Sequence, residues 1–425
     1  MTLTRRQLLC SLPAVPALGA LATSAGAAAP VPAGGPALAV NLKHLEHLYA
    51  EVEVGGKALG VVHIYAAYPD YRYDVEPNEG FACVDDVARA VVLLSREWRQ
   101  RAEPELLRKI EHLTEFLLHL QNTNGYFNNF LWGDLRINVD YRTSVAALNW
   151  WSFRALWALE EALPVLEPNA ALATRMREAA ARVVGNIVRD LPSGLRRTRT
   201  SAGIRLPDWL PEGSGADQAA EAMVALLPHW RRTGDAAVRR LITSLAQGIL
   251  LMQKGDARTY PYGMFLSWRH HWHAWGNVQA YALLLGGEAL GEPGWTQAAL
   301  VEVDNFYPRL LEQGLAEGIE LRAKGAVLTE TARRRFPQIA YGLRPMVFAA
   351  LKAHAVTGEA RYRRLADNLG AWLQGRNDAG APVYDPVTGR AMDGIIAPGT
   401  FNRNSGAEST IEALLSVQAL RDGTA

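Results

Sequence analysis

The chain has 425 residues and carries almost no net charge, with 44 lysines and arginines against 43 acidic residues. This balance gives no basic field for nucleic acid or for an anionic membrane surface, so neither is expected as a partner. Only Cys10 and Cys83 are present, and Cys10 lies in a predicted export signal. A mature chain would therefore contain neither an intrachain disulfide nor a cysteine-based metal cluster.

Residues 1–27 have the pattern of a twin-arginine signal peptide. Arg5 and Arg6 precede an apolar stretch rich in alanine, leucine, proline and glycine, and small residues at 25–27 suit a cleavage site. The apolar run is short and interrupted by prolines, so we expect no stable membrane span. The precursor is predicted to use the twin-arginine export machinery, and the mature protein to be periplasmic or secreted.

The rest of the chain divides into a linker and one large domain. Residues 28–36 are rich in proline and glycine, which is typical of a flexible linker. Residues 37–425 are predicted to form a single domain.

Hydrophobic residues recur with the period of an α-helix along most of this domain. The pattern predicts about twelve helices and almost no strand, so the expected fold class is all-α. The predicted helices cover 38–50, 83–101, 104–121, 143–163, 169–190, 216–232, 235–253, 273–290, 295–312, 337–356, 359–375 and 405–421.

Short and long connections alternate between these helices. Short ones such as "RTGDAA" join antiparallel helices into hairpins, whereas long ones include 121–142, 190–215 and 375–404. About six repetitions of this alternation predict a closed ring of stacked hairpins. The helix after each long loop would be inner and the next one outer, with all the long loops on one face.

This arrangement resembles the six-hairpin (α/α)6 toroid of many glycosidases, some polysaccharide lyases and sugar epimerases. The resemblance covers nearly all of the predicted mature chain and rests on architecture. It implies a carbohydrate-active protein, with an oligosaccharide or polysaccharide as substrate, and a site on the face of the long loops. The segment 80–86, Gly-aromatic-x-Cys-x-Asp-Asp, also resembles a segment of carbohydrate-associated helical domains.

Two adjacent aspartates, Asp85 and Asp86, occupy the first turn of the first inner helix in "GFACVDDVARA". Acids at a helix N-terminus stabilise the helix by under about 1 kcal/mol, and this capping is the simplest explanation. One acid suffices for capping, however, and the flanking residues look buried. We therefore favour a catalytic role for both aspartates.

The other long loops bring residue types suited to sugar binding to the same face. Aromatic rings stack on pyranose faces, while carboxylates, amides and arginines hydrogen-bond to hydroxyls. The candidate substrate-binding residues are Tyr126, Trp132, Arg142, Trp209, Glu212, Arg269, His271, His273, Trp275, Asn277, Tyr341, Arg344, Asn404 and Glu408. Glu408 also fits a capping box with Ser405.

The histidine-rich loop raises the question of a metal. His271 and His273 could in principle bind zinc, but alternate histidines share a helical face poorly, no HExxH motif occurs, and cysteine partners are absent. Phosphate-binding and dinucleotide-binding motifs are also absent. We therefore expect no metal and no cofactor, with His273 as a hydrogen-bonding or proton-transfer group.

The leading hypothesis for the reaction is glycoside hydrolysis by two carboxylates, one protonated and one ionised. A helix N-terminus stabilises an anion, so Asp85 or Asp86 suits the ionised role. Asp140 and Asp217 are the candidates for a partner whose pKa is raised by burial or by a like charge.

Three alternatives remain open. β-Elimination on a uronic-acid polymer would use Tyr341 or His273 as the base, with Asn277, Asn404 or Arg344 neutralising the uronate. A non-catalytic sugar-binding protein of the cell envelope would need no carboxylate pair. A sugar epimerase would share the toroid and use histidines, although export argues against it.

Overall fold

The computed structural model describes residues 38–192, 194 and 197–425. The predicted signal peptide at 1–27 and linker at 28–36 lie outside these residues. The described part contains helices α1 (Lys43–Leu48), α2 (Val84–Arg101), α3 (Pro104–His119), α4 (Trp150–Leu166), α5 (Ala170–Asp190), α6 (Ala216–Thr233), α7 (Ala236–Met252), α8 (Gln279–Leu290), α9 (Pro293–Gln313), α10 (Ala340–Thr357), α11 (Ala360–Gly370) and α12 (Ala407–Asp422). None of them is both long and apolar enough to cross a bilayer.

Each predicted helix overlaps one of these twelve, and the largest errors fall at two helix starts. Helix α4 begins at Trp150 because the side chain of Asn149 accepts a hydrogen bond from the backbone N–H of Ser152 and so caps the helix there. Helix α8 begins only at Gln279, because His273 ends a strand and residues 274–278 form a turn and an irregular connection.

Six helices form a closed inner ring. Helices α2, α4, α6, α8, α10 and α12 pack each against the next, and α12 packs against α2. Five outer helices, α3, α5, α7, α9 and α11, each follow an inner helix in the chain, and α1, the first helix, packs against α12 as the sixth outer element. The predicted (α/α)6 toroid is therefore confirmed. Inner helices are covered on all sides, which explains their nearly continuous burial.

Short strands occupy the long connections, so the all-α expectation holds for the ring but not for the loops. The strands are β1 (Tyr49–Val54), β2 (Lys57–Val62), β3 (Tyr65–Ala67), β4 (Arg72–Asp74), β5 (Ala82–Cys83), β6 (Phe130–Leu131), β7 (Ile137–Asn138), β8 (Thr198–Ser201), β9 (Ile204–Pro207), β10 (Gln253–Lys254), β11 (Met264–Phe265), β12 (His271–His273), β13 (Gly318–Lys324), β14 (Val327–Arg334), β15 (Tyr384–Asp385), β16 (Arg390–Ala391), β17 (Gly394–Ala397) and β18 (Thr400–Asn402). All the pairings are antiparallel. Most of these strands are too short to produce a period-two pattern in the sequence.

Every strand lies in a segment that precedes an inner helix. The long loops therefore form one strand-braced face, at which all six inner helices begin. We call this face the mouth.

The strand before α2 fixes the start of that helix. Gly80 has φ +119°, and a Cβ there would lie 2.2 Å from the carbonyl oxygen of Leu131. Only glycine allows this close approach, which lets Cys83 pair with Phe130 in the sheet β5–β6–β7. The sheet positions the first turn of α2, with Asp85 and Asp86, at the mouth.

A buried carboxyl group ties an outer helix to the loop before α8. Glu302 in α9 accepts a hydrogen bond from the backbone N–H of Phe265 at 2.8 Å and another from the hydroxyl of Tyr307 at 3.1 Å. Burial raises the pKa of Glu302 from its ordinary value of 4.5 to about 8. Between these two pKa values, Glu302 is protonated in the folded chain and ionised in the unfolded chain.

This proton makes stability depend on pH. Between the two pKa values the folded state binds more protons, so the free energy of unfolding falls as pH rises, by about 1.4 kcal/mol per pH unit. Glu302→Gln keeps the size and the acceptor oxygen but does not titrate. Urea denaturation at about pH 5.5 and about pH 7.5 should show that the wild type loses roughly 2–3 kcal/mol more than the variant. Equal losses would contradict a buried protonated Glu302.

Candidate functional site

Charged side chains converge at the mouth from the first two turns of five inner helices. We call these residues, together with His273 in the loop before α8, the central network. Its members are Asp85, Asp86, Arg89, Arg154, Asp217, Glu221, His273, Tyr341, Arg344, Glu408 and Glu412.

Arg154 of α4 joins three other inner helices. Its Nη1 atom donates to Asp85 Oδ1 of α2 at 2.6 Å, its Nε atom donates to Glu221 Oε1 of α6 at 3.0 Å, and its Nη2 atom donates to the Tyr341 hydroxyl of α10. Burial alone would lower the pKa of Arg154, but the negative charges of Asp85 and Glu221 raise it well above its usual value. The guanidinium is therefore a fixed charge at the centre of the mouth.

Arg89 of α2 joins the first and last inner helices. Its guanidinium donates to Glu412 Oε1 at 2.6 Å, to Asp86 Oδ1 at 2.8 Å and to Glu408 Oε2 at 3.3 Å. Glu412 also accepts from Arg344 Nε of α10. Burial opposes the charge on Arg89, but the carboxylates, Glu412 foremost, raise its pKa above its usual range.

Asp86 does not reach the open part of the mouth, contrary to the prediction that both aspartates face it. Its side chain has no exposed surface, and it contacts Arg89 and the thiol of Cys83, which donates to Asp86 Oδ2 at 3.1 Å. Asp86 therefore positions Arg89. Asp85 keeps 11% of its side chain exposed and remains a candidate for contact with substrate.

His273 and Asp217 form the pair at the edge of the network. His273 Nε2 lies 3.0 Å from Asp217 Oδ2, and His273 Nδ1 lies 2.8 Å from the carbonyl oxygen of Trp275. Both ring nitrogens thus face acceptors, so two protons are needed within the His273–Asp217 pair for both contacts to be hydrogen bonds. The other Asp217 oxygen accepts from the backbone N–H of Gln218 at 2.7 Å. This arrangement suits a proton-transfer group.

Aromatic rings line the same side of the mouth. Trp275 stacks on His273 with ring centroids 3.8 Å apart and lies 5.9 Å from Trp150 and 6.3 Å from Tyr341. A Cβ at Gly276 would lie 2.7 Å from the Tyr341 hydroxyl, which explains the glycine there. Trp150, at the start of α4, belongs to this aromatic group.

Three predicted substrate-binding residues are packing residues instead. Tyr126 is buried and its hydroxyl donates to Asp190 at the end of α5, and Trp209 is buried and donates to the carbonyl oxygen of Ser244 in α7. Both outer helices hold these rings away from the centre. Asn277 is also buried, and its amide donates to the hydroxyl of Ser267.

Six further candidates lie on the loops around the centre. Asp140, Arg142, Glu212 and Arg269 are exposed, whereas Trp132 and Asn404 are half-buried. Asp140 makes no hydrogen bond or ion pair to the central network within the described residues, so its predicted catalytic role has no geometric support. Arg269 lies over the Trp268 ring at 3.9 Å, and Asn404 accepts from the backbone N–H of Tyr68 at 3.1 Å.

His271 and His273 do not form a shared pair. His271 lies beside His270 and Glu320, with its Nδ1 atom 3.6 Å from Glu320 Oε1. Burial, and then the neighbouring His270, lower the pKa of His271. One ligand atom from each of His270, His271 and Glu320 lies within 4.8 Å of the others, a grouping that the sequence analysis missed.

Sequence reasoning also missed four members of the network, namely Arg89, Arg154, Glu221 and Glu412. The sequence did contain a signal for them. Each is a charged residue in a predicted inner helix, and an inner helix has no side that faces solvent. Three of them lie four residues after a candidate acid, at the spacing of one helical turn.

Asp86→Ala should destabilise the fold, because it removes a charged hydrogen-bond partner of the buried Arg89. We expect a loss of about 1.5–3 kcal/mol in the free energy of unfolding, measured by urea denaturation. The matched control is Asp140→Ala, which changes an exposed acid and should stay within about 0.5 kcal/mol of the wild type. If the two variants were equally stable, the positioning role of Asp86 would be wrong.

No protein-family model matches the chain, and no curated protein matches it either. Solved structures match at low identity. The chain is similar to cellobiose 2-epimerase from Bacillus thermoamylovorans, with TM-score 0.56, 10% identity and coverage of 85% of this chain and 92% of that one. It is similar to a D-mannose isomerase, with TM-score 0.56, 12% identity and coverage of 82% and 92%.

A further similar structure is cellobiose 2-epimerase from Spirochaeta thermophila, with TM-score 0.55, 15% identity and coverage of 86% of this chain and 90% of that one. These matches extend over most of both chains. They confirm, at the level of the fold, the predicted resemblance to the six-hairpin (α/α)6 toroid proteins.

Proposed function

We propose that the protein is a carbohydrate-processing enzyme whose substrate binds at the mouth of the toroid, and that it is a glycoside hydrolase. The observation that carries this proposal is the placement of two carboxylates on opposite sides of the ring. Asp217 is on α6 and Glu408 is on α12, three positions apart in the ring of six inner helices. A sugar bound between them would meet one carboxyl group on each side, as glycoside hydrolysis requires.

Glu408 suits the acid role. It shares the Arg89 guanidinium with Glu412 and Asp86, and its contact of 3.3 Å is the longest of the three. With 23% of its side chain exposed, it is more accessible than Asp86 or Glu412, whose side chains are fully buried. Glu408 is therefore the carboxyl group of this cluster that a substrate reaches most directly, which a general acid requires.

Asp217 suits the ionised role. Its Oδ1 atom accepts a backbone N–H at 2.7 Å and its Oδ2 atom lies 3.0 Å from His273 Nε2. Both oxygens thus face nitrogen atoms that can donate hydrogen bonds, which holds the carboxylate in one orientation. The ionised role, predicted for Asp85 or Asp86, is thus assigned here to Asp217, and the protonated role, predicted for Asp140 or Asp217, is assigned to Glu408.

A second candidate function is sugar epimerisation or isomerisation, and the His273–Asp217 pair favours it. A histidine oriented by a carboxylate can move a proton to or from a sugar carbon or hydroxyl. The similar structures reported above are named as two epimerases and an isomerase. At identities of 10–15%, this similarity supports the fold and not the reaction.

β-Elimination is less well supported. Arg344 is already paired with Glu412, and Asn404 is bound to the backbone of Tyr68 on the loop. These groups are therefore not arranged around an open position for a uronate. Export through the twin-arginine machinery, with a periplasmic or secreted mature protein, stays a proposal that rests on residues 1–27.

Incubation of the mature chain with neutral, amino-sugar and uronic-acid oligosaccharides should separate these functions. Hydrolysis yields new reducing ends, elimination yields ultraviolet absorbance as well, and epimerisation changes sugar identity with no gain in reducing ends. We expect new reducing ends without absorbance. Interconversion of sugars without cleavage would contradict hydrolysis and support epimerisation or isomerisation.

Asp217→Asn and Glu408→Gln should each lower kcat by at least about 100-fold, because each removes a group that transfers a proton or bears charge at the reacting bond. Both changes preserve side-chain size, so the melting temperature should stay within a few degrees. Asp140→Asn is the matched control and should keep full activity. Full activity in Asp217→Asn or Glu408→Gln would remove that residue from the mechanism.

A further inference from the structure

Strand pairing places a histidine opposite a glutamate at the edge of the mouth. In the antiparallel pair β12–β13, His271 is the direct partner of Glu320. Directly opposed residues carry their side chains on the same face of a sheet. The His271 Nδ1 atom lies 3.6 Å from Glu320 Oε1, which leaves room for an ion between them after a small rotation of either side chain.

A tight turn adds a second histidine to this pair. Arg269 has φ +52°, in the left-handed region, and the turn is closed by hydrogen bonds between the backbones of Trp268 and His271. In a regular strand, adjacent side chains point to opposite faces. Here the turn places the His270 and His271 rings 4.3 Å apart.

We propose that His270, His271 and Glu320 bind a divalent transition-metal ion, with Zn²⁺ as the best match. One ligand atom from each residue already lies within 4.8 Å of the other two. Two imidazole nitrogens and one carboxylate oxygen suit Zn²⁺, whereas Mg²⁺ and Ca²⁺ prefer oxygen ligands. Three protein ligands leave a fourth position open for water or for a ligand oxygen.

The neighbouring contacts are compatible with an ion. The His270 Nδ1 atom lies 3.3 Å from the Ser201 hydroxyl, and donation of its proton there leaves a lone pair on Nε2 for the metal. Arg334 lies 3.6 Å from Glu320 but has a closer partner in Glu317, at 2.6 Å. Arg334 is half exposed, so it can keep Glu317 and move away from the ion.

The site would lie next to the central network but outside it. His271 and His273 are two residues apart in β12 and share one face of the strand, while Trp272 between them is buried in the core. Two residues of a strand span about 6.6 Å. An ion held by His271 would therefore stand beside the His273–Asp217 pair, at the edge of the mouth.

Titration calorimetry with zinc chloride tests the proposal on the mature chain, purified without a polyhistidine tag and treated with a chelator. We expect one zinc ion per chain, and a loss of affinity of at least about tenfold in His271→Ala and in Glu320→Gln. His354→Ala is the matched control, because His354 lies in the last turn of α10, at the end of the helix away from the mouth. This variant should bind zinc as the wild type does.

At one fixed zinc concentration, zinc should also raise the melting temperature of the wild type and of His354→Ala by more than that of His271→Ala. This second measurement uses each variant as its own reference, so a change in basal stability does not affect it. Absence of zinc binding in the wild type, or unchanged zinc affinity in His271→Ala, would overturn the proposal.

Discussion

Arginines buried between carboxylates hold the mouth of this toroid together. Arg89 and Arg154 each bond to side chains on more than one helix, and Arg344 shares Glu412 with Arg89. Removing one partner from such a group leaves an uncompensated charge in a medium of low dielectric constant, which is costly. The relative positions of the inner helices and the geometry of the site therefore depend on the same ion pairs.

The imbalance of charge in the network has a physical origin. Six carboxylates surround three guanidinium groups and one imidazole, in a place where six helix N-termini converge. Each helix N-terminus carries a partial positive charge, which offsets part of the excess of acids. The closed ring thus creates an electrostatic environment in which acids can be buried.

The ring could be predicted from the sequence because helical periodicity and loop length are local properties. The alternation of short and long connections was enough to identify inner and outer helices. The predicted start of α4 was several residues too early, because Asn149 caps this helix. Short strands such as β10 and β11 have no comparable local signal, because pairing across a loop forms them. The location of the long loops could therefore be predicted from the sequence, but the strands within them could not.

The site was predicted only in part, because its partners lie far apart in sequence. Asp217, His273, Tyr341 and Glu408 were found from their place near inner-helix starts. Asp86 is buried by its contact with Arg89, and Tyr126 and Trp209 are buried by contacts with outer helices. The local sequence pattern could not show the burial of any of these three residues. Arg154 was missed because it lies among tryptophans in an apolar helix, where only the folded ring reveals what it joins.

The most direct measurement of the central claim is a crystal structure of the Glu408→Gln variant with a bound oligosaccharide chosen from the substrate panel. We expect a sugar ring at the mouth, between Asp217 and position 408, in contact with the Trp275 ring. A sugar bound elsewhere on the surface, with an unoccupied mouth, would contradict it.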